Sequence, residues 1–221
     1  MTDDSNEDKK KGDDAGGSYD ASRRRFLKGV GIAGAGAAFA DHLLADAQAK
    51  APANGPASSV AGPVEIMLEI NGQKRSVRVE PRTTLLNTLR NHLDPPLTGP
   101  KLVCDMGTCG ACTVLLEDKP VYSCLVLAVD AVGKKITTVE GLGSAENPNP
   151  VQSAFVDKDA LMCGFCTPGF VTTISAYLKK NPNPTLQDVC EACKGNFCRC
   201  GTYPRVFAAA LTAAQAQTGH D

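Results

Sequence analysis

The chain has 221 residues, of which 43% are apolar, so it is long enough to bury the core of one large or two small domains. Its net charge of −1 lacks the basic excess that marks nucleic-acid binding, and we therefore expect no nucleic-acid partner. All ten cysteines lie between Cys104 and Cys200, which confines metal or redox chemistry to one region of the chain.

The first 49 residues predict a signal peptide for export. Residues 1–20 mix charged residues and glycines without apolar periodicity, which is typical of disorder. The stretch SRRRFLK at 22–28 precedes a weakly apolar run and an A-x-A cleavage pattern at 47–49, an arrangement that resembles a twin-arginine signal. A stray basic cluster before a helix is the alternative. The apolar run is too short to span a bilayer, so we expect a periplasmic protein without a transmembrane helix in its mature chain, and a flexible linker at 50–63.

Export in a folded state changes what the cysteines predict. Exported proteins ordinarily use their cysteines in disulfides. The twin-arginine route resembles one for proteins already folded around a cofactor, so the thiols could first take up metal in the reducing cytoplasm. The signal and the ten cysteines together therefore favour a bound cofactor.

Residues 64–141 predict a β-grasp ferredoxin-like domain. Alternating apolar residues predict strands at 64–70 and 75–80 around Asn71-Gly72, a pair that favours the type I′ turn of a β-hairpin. The remaining predicted elements are a helix capped by Thr83 or Thr84, with Leu85, Leu86, Leu89 and Leu93 on one face, and strands at 113–117 and 135–139. Hairpin, helix, cysteine loop and strands follow in the order of the β-grasp ferredoxins.

The loop CDMGTCGAC of this domain has the C-x4-C-x2-C spacing of a plant-type [2Fe–2S] site. Four thiolates must converge on the diiron core, and Gly107, Gly110 and Ala111 permit the close backbone approach that this requires. The candidate metal ligands are Cys104, Cys109, Cys112 and Cys124. Buried structural cysteines at chance spacing are the alternative.

Residues 142–221 predict an all-α domain of four helices, which makes the fold class α+β. The predicted helix starts lie at Asn149-Pro150, Thr167-Pro168, Thr185 and Pro204, and two predicted ends lie at Asn181-Pro182 and Gly195. The motifs CGFC and CRC lie beside two of these starts, where helix N-termini favour negatively charged thiolates.

These two motifs form a second candidate metal site. Cys198 and Cys200 are separated by one residue, which would strain a disulfide between them and matches zinc-site spacing poorly. The four thiolates that a second [2Fe–2S] cluster needs would come from Cys163, Cys166, Cys198 and Cys200. Cys190 and Cys193 form another C-x-x-C, so six cysteines compete for four positions. Burial as small hydrophobic residues, a ligand role and a redox disulfide are the options for that pair.

Three motifs carry a family resemblance. CDMGTCGACTV, CGFCTPG and GNFCRCGTYPR resemble, in this order, the iron–sulfur small subunit of the molybdenum hydroxylases, the family of xanthine dehydrogenase and aldehyde oxidoreductase. The resemblance covers residues 64–215 and, with the leader, is greatest for periplasmic aldehyde oxidoreductases and isoquinoline oxidoreductases. It implies an outer, ferredoxin-like cluster on the first four cysteines and an inner cluster, nearer the molybdopterin, on the CGFC and CRC cysteines. It leaves Cys190 and Cys193 without a ligand role.

The resemblance also implies a function and partners. The chain would relay electrons from a molybdopterin-binding large subunit, which oxidises or hydroxylates an aldehyde or N-heterocycle, to an FAD-binding subunit or a cytochrome c. We predict no catalytic residue in this chain, because its three histidines are scattered. Where the family commonly has a pterin-contacting Gln before the CGFC-type motif, this chain has Met162, whose thioether cannot donate a hydrogen bond. We expect Met162 to pack against the cofactor instead.

Two other functions fit the sequence. The first is a free-standing periplasmic ferredoxin without a permanent partner, which size-exclusion chromatography separates from a subunit of a complex. The second is an exported binding module stapled by zinc or disulfides, which would lack the visible absorption of iron–sulfur clusters.

Overall fold

The computed structural model describes residues 62–219. The predicted signal peptide at 1–49, and the predicted linker at 50–63 except for its last two residues, lie outside the described residues. Within 62–219, no helix is both long and apolar enough to cross a membrane.

A five-stranded mixed sheet forms the first half of the described chain. Its strands are β1 (Val64–Ile70), β2 (Gln73–Val79), β3 (Thr113–Leu116), β4 (Lys119–Tyr122) and β5 (Lys135–Thr137). Their order across the sheet is β2-β1-β5-β3-β4, with β1 and β5 parallel and the other neighbours antiparallel. Because helices follow this sheet in the chain, the fold is of the predicted mixed α and β type.

The sheet contains two hairpins with left-handed turn residues, of which the sequence predicted one. Asn71 and Gly72 have φ angles of 51° and 77°, as the predicted type I′ turn requires. Glu117 and Asp118 join β3 to β4 with φ angles of 51° and 61°, although Glu-Asp lacks the glycine that follows Asn or Asp in the usual type I′ signal. The sequence therefore did not predict β4, which also contains Pro120. Proline is tolerated there because β4 is an edge strand.

The helix predicted after the hairpin is only partly α-helical. Thr84 caps α1 (Leu85–Asn87) by accepting a hydrogen bond from the Asn87 N–H, and a π-helical turn follows over Thr88–His92. The prediction of one continuous α-helix was therefore wrong beyond Asn87. The Thr84 carbonyl accepts hydrogen bonds from both the N–H and the hydroxyl of Thr88, and the Leu89 carbonyl accepts a non-helical bond from the Leu97 N–H. The predicted apolar face is nevertheless buried at Leu85, Leu86, Leu89 and Leu93.

Four helices form the second half of the described chain. They are α2 (Pro150–Asp157), α3 (Thr167–Lys180), α4 (Leu186–Ala192) and α5 (Tyr203–Thr218). Asn149 and Thr185 cap α2 and α4 in reciprocal capping boxes, so the helix starts predicted there are confirmed. The largest side chains of their common core are Val151, Phe155, Phe170, Val171, Ile174, Leu178, Val189 and Val206.

The helix start predicted at Thr167-Pro168 is confirmed apart from its cap, and the helix end predicted at Gly195 was wrong. Thr167 lies inside α3, whose N-cap position is Cys166, and the Thr167 hydroxyl is buried without a hydrogen-bond partner. The helix α4 ends at Ala192, before the predicted stop at Gly195, because Cys193 occupies its C-cap position. Both differences place a cysteine at a helix boundary, where the chain leaves helical geometry.

Candidate metal centres

The hairpin of β3 and β4 brings two of the predicted outer ligands together. Cys112 precedes β3 and Cys124 follows β4, and the register pairs Thr113 with Tyr122. The two buried thiols consequently lie with their Sγ atoms 3.4 Å apart, and both remain free rather than forming a disulfide. The Ser123 hydroxyl donates to the Cys112 carbonyl over 2.7 Å and fixes this closure.

The other two outer cysteines lie in the loop that precedes β3. The Cys104 thiol is hydrogen-bonded to the Cys109 thiol and to the side chain of Thr108. Gly107 and Gly110 have φ angles of 72° and 69°, which let the loop curl around the thiols. The glycines that the sequence singled out therefore have the conformation that a curled cysteine loop requires.

The electrostatics of the outer set show that its four thiols are neighbours. A hydrogen bond from the Thr108 side chain, followed by one from the Met106 backbone, lowers the pKa of Cys104 to about 6. Burial, followed by the adjacent Cys112 thiol, raises the pKa of Cys124 to about 11. Burial first raises the pKa of Tyr122, and the charges of all four outer cysteines then raise it further. Tyr122 packs against the buried pair of Cys112 and Cys124, so its phenol lies beside the outer set.

The inner candidates lie in the turns that lead into α3 and α5. Phe170 and Tyr203, near the starts of these helices, pack edge to face with ring centroids 5.9 Å apart. This contact brings the two cysteine turns together: the Cys166 thiol lies beside Cys198, and the Cys163 thiol beside Cys200. Both helix N-termini add positive partial charge beside the thiols, which favours an anionic centre. The inner set therefore consists of four cysteines in two pairs, like the outer set.

Cys198 has hydrogen-bond partners at both its sulfur and its backbone N–H. Its sulfur lies 3.1 Å from the Thr202 hydroxyl, and its backbone N–H donates to the Tyr203 hydroxyl over 2.8 Å. Burial, the largest single influence, raises the pKa of Cys198, but hydrogen bonds led by those of Thr202 outweigh it and lower the value to about 7. Burial, followed by the Cys198 thiol, raises the pKa of Cys166 to about 12.

Cys190 and Cys193 are the two cysteines outside both candidate ligand sets. Cys193 is buried in the helical core, and burial, followed by the charge of Cys190, raises its pKa to about 12. Among the described residues, no thiol of the outer or inner set contributes to that shift. The position of Cys193 matches burial as a small hydrophobic residue, one of the three options that the spacing left open.

The two thiol sets fit a diiron cluster better than a single metal ion. Within residues 62–219, no group of three or more His, Cys, Asp or Glu side chains converges on one metal position. Cys112 and Cys124 are in direct contact, and the remaining thiols lie beside one another in pairs within their own set. A [2Fe–2S] core takes four thiolates, two for each iron, so the number, chemistry and pairing of the donors fit this group.

Three hydrogen bonds join the outer cysteine loop and β4 to the segment before Cys198. The Phe197 N–H donates to the Cys109 carbonyl over 2.9 Å, and the Asn196 side-chain amide donates to the Gly110 carbonyl over 3.1 Å. The Tyr122 hydroxyl donates to the Gly195 carbonyl over 2.9 Å. Two sequence-distant cysteine loops are therefore fixed against each other by direct bonds.

Sequence reasoning missed the residues that support the thiols. These are Thr108, Tyr122, Asn196, Thr202 and Tyr203. The sequence could have indicated these residues by their position within or beside the three cysteine motifs. A polar side chain at such a position can reach a ligand sulfur or its backbone.

Each thiol set has exposed apolar side chains beside it. Leu161, Met162 and Phe165 lie exposed around the inner set, where Cys163 and Cys200 are exposed as well. Met162 also lines a surface cavity of about 310 Å³, together with Gly201, Thr202, Pro204 and Arg205. Beside the outer set, the exposed apolar side chains are Leu102, Val103, Met106 and Leu125.

Comparison with known proteins identifies the two domains that contain these sites. The family described as "2Fe-2S iron-sulfur cluster binding domain" matches residues 68–135, and the family described as "[2Fe-2S] binding domain" matches residues 138–211. The nicotine 6-hydroxylase small subunit of Paenarthrobacter nicotinovorans is 47% identical over 150 residues, which cover 68% of this chain and 89% of that protein. The chain belongs to the iron–sulfur small subunits of the molybdenum hydroxylases.

Further relatives extend this family assignment. The aldehyde oxidoreductase iron–sulfur-binding subunit PaoA of Escherichia coli K12 is 40% identical over 181 residues, covering 75% of this chain and 77% of PaoA. The crystal structure of quinoline 2-oxidoreductase from Pseudomonas putida 86 matches with a TM-score of 0.66 and 41% identity, covering 73% of this chain and 100% of that one. This iron–sulfur subunit is therefore an electron-transfer component of a molybdenum-dependent oxidoreductase and has two 2Fe–2S-binding domains.

Proposed function

We propose that this subunit carries electrons from a molybdopterin-binding large subunit to an FAD-binding subunit or a cytochrome. The proposed cluster ligands are, for the outer cluster, Cys104, Cys109, Cys112 and Cys124 and, for the inner cluster, Cys163, Cys166, Cys198 and Cys200. Each cluster, when bound, accepts and releases one electron. The observation that carries the proposal is the direct hydrogen-bonded junction between the two thiol sets, which holds them at a fixed separation.

We call the exposed apolar surface of Leu161, Met162 and Phe165 beside the inner set the inner face. It is the proposed docking surface for the molybdopterin-binding subunit. Large apolar side chains such as Met162 and Phe165 are 65% and 56% exposed there, and covering them would stabilise a complex. Cys163 and Cys200 are exposed on the same face, so a docked partner would shield the inner thiols from water. We propose that Met162 packs against the pterin side of that partner, where its thioether offers shape but no hydrogen-bond donor.

The exposed apolar surface beside the outer set, here called the outer face, contains Leu102, Val103, Met106 and Leu125. Electrons are proposed to leave the subunit there. Met106 and Leu125 are 67% and 64% exposed beside the outer thiols. A flavin subunit or a cytochrome that covered these side chains would lie next to the outer set. The two apolar faces thus provide one entry and one exit surface.

The proposed substrate class follows from the relatives, and the substrate would bind to the partner subunit. The relatives include a nicotine 6-hydroxylase, a quinoline 2-oxidoreductase and an aldehyde oxidoreductase. We propose that the complex oxidises or hydroxylates an N-heterocycle or an aldehyde.

The complex purified with its partners is expected to contain about four irons per copy of this subunit, because each four-thiol set takes a two-iron core. Reduction by dithionite should give two distinct EPR signals, and an oxidisable substrate of the complex should elicit both. Two or fewer irons in fully loaded protein, or one EPR species, would contradict the proposal. A subunit that purifies alone with both signals would instead support a free-standing ferredoxin.

We also propose that the subunit is exported in folded form by the twin-arginine pathway and functions in the periplasm. The PaoA subunit of Escherichia coli O157:H7 supports a shared N-terminal segment, because its alignment covers 87% of this chain, more than residues 62–219 make up. The order of basic motif, apolar run and A-x-A site supports the same proposal.

Replacing Arg23, Arg24 and Arg25 by lysine should leave cluster-loaded protein in the cytoplasm, because the charge is kept and only the arginine signal is lost. Cell fractionation with detection of the subunit measures this. Exchanging Lys9, Lys10 and Lys11 for arginine is the matched control, and it should not change delivery. Normal periplasmic delivery of the triple lysine variant would exclude the twin-arginine pathway.

A further inference from the structure

Thr202 carries a buried hydroxyl that its helix does not use. It occupies the N-cap position of α5, where a threonine side chain ordinarily accepts a hydrogen bond from a backbone N–H in the first turn. Thr202 makes no such bond, although it is only 5% exposed. Its hydroxyl lies instead 3.1 Å from the sulfur of Cys198. The Thr202 hydroxyl therefore contacts the Cys198 sulfur and does not cap the helix.

The direction of this hydrogen bond follows from the state of Cys198. A metal-bound cysteine is a thiolate, which has no proton and can only accept. The Thr202 hydroxyl must then donate to the sulfur. Tyr203 has a different role, since its hydroxyl accepts the Cys198 backbone N–H over 2.8 Å and so orients the ligand backbone.

We propose that Thr202 raises the reduction potential of the inner cluster by donating a hydrogen bond to the Cys198 sulfur, an inference that rests on the proposed function of this subunit. Reduction adds one negative charge, and a donor on a ligand sulfur stabilises that charge more than it stabilises the oxidised state. A higher potential at the inner cluster favours electron uptake from the molybdopterin-binding subunit. Thr202 thereby acts as a positioning and tuning residue that touches no substrate.

The contribution of the hydroxyl can be separated from that of the backbone. The N–H groups of Thr202 and Cys200 also donate to the Cys198 sulfur, and they persist when the side chain is changed. Thr202→Val preserves the branched shape and removes only the donor, while Thr202→Ser keeps a donor. Helix α5 loses no side-chain cap in the valine variant, because none is present.

The test is an EPR-monitored redox titration of both clusters in the assembled complex. Thr202→Val should lower the inner midpoint potential, by about fivefold in the reduction equilibrium constant, the scale of one hydrogen bond. The outer midpoint should stay unchanged, and Thr202→Ser should remain near wild type. Thr212→Val is the matched control, because it lies in the same helix about 15 Å further along the axis and should shift neither midpoint.

Each result decides the proposal. An unchanged inner midpoint in Thr202→Val would overturn it. Loss of the inner signal in Thr202→Val with recovery in Thr202→Ser would also overturn it, because the hydroxyl would then hold the cluster rather than tune it. Failure of the proposed function is distinguishable, since wild-type complex would then lack the two signals before any variant is compared.

Discussion

Replacing Cys200 by serine is expected to remove the inner [2Fe–2S] cluster and to leave the outer one intact. A serine oxygen is a harder ligand than a thiolate, and iron–sulfur cores prefer soft sulfur. Cys200 is exposed, so the exchange changes a proposed ligand without opening a cavity in the core. Electron flow from the molybdenum partner should fall steeply, because the inner cluster is the proposed first acceptor. EPR of the dithionite-reduced variant, with turnover of the assembled complex, measures both effects.

Cys193→Ala is the matched control for this experiment. Cys193 is buried in the helical core and is not a proposed ligand, so truncation should cost about 1 kcal/mol of stability while both EPR signals remain. If Cys193→Ala lost a signal and Cys200→Ser kept both, the ligand assignment would be wrong. The C-x-x-C of Cys190 and Cys193 would then complete the inner site in place of the C-x-C.

Gly110→Ala is expected to disrupt the junction between the outer loop and the segment before Cys198. Gly110 has a φ angle of 69°, and a Cβ there would overlap the Gly195 carbonyl oxygen and the Asn196 side-chain amide. A left-handed alanine costs about 1–2 kcal/mol, and forcing the two segments apart adds about 1–3 kcal/mol. The variant should therefore lose about 2–5 kcal/mol of stability, since both terms act at one site.

Gly133→Ala separates the cost of left-handed backbone strain from the cost of steric overlap at the junction. Gly133 has a similar φ angle of 77°, but nothing lies within 4 Å of the added Cβ. It should therefore show only the backbone cost of about 1–2 kcal/mol. Thermal loss of visible absorbance in the loaded complex compares the two variants. Equal sensitivity of both would show that the junction tolerates displacement and does not fix the separation of the two thiol sets.

Local sequence signals predicted much of the fold. Asn71-Gly72 predicted a type I′ hairpin, and both residues have the required positive φ. Asn149 and Thr185 predicted helix starts, and both form capping boxes. These predictions succeeded because the turn or cap depends on residues within four positions of one another. The strand β4 was missed because its turn, Glu117-Asp118, adopts left-handed geometry without glycine or asparagine.

The sequence by itself determined the chemistry of the two sites, because cysteine number and spacing are local properties that select thiolate chemistry for iron. The proposed signal peptide, too, rests on the sequence alone. Only the tertiary structure decided which thiols lie in contact and that Cys193 is buried in the helical core. These contacts join segments through the register of a hairpin, the packing of two helix starts and the junction at Gly110. Such packing depends on residues that are far apart in the chain, and no local pattern encodes it.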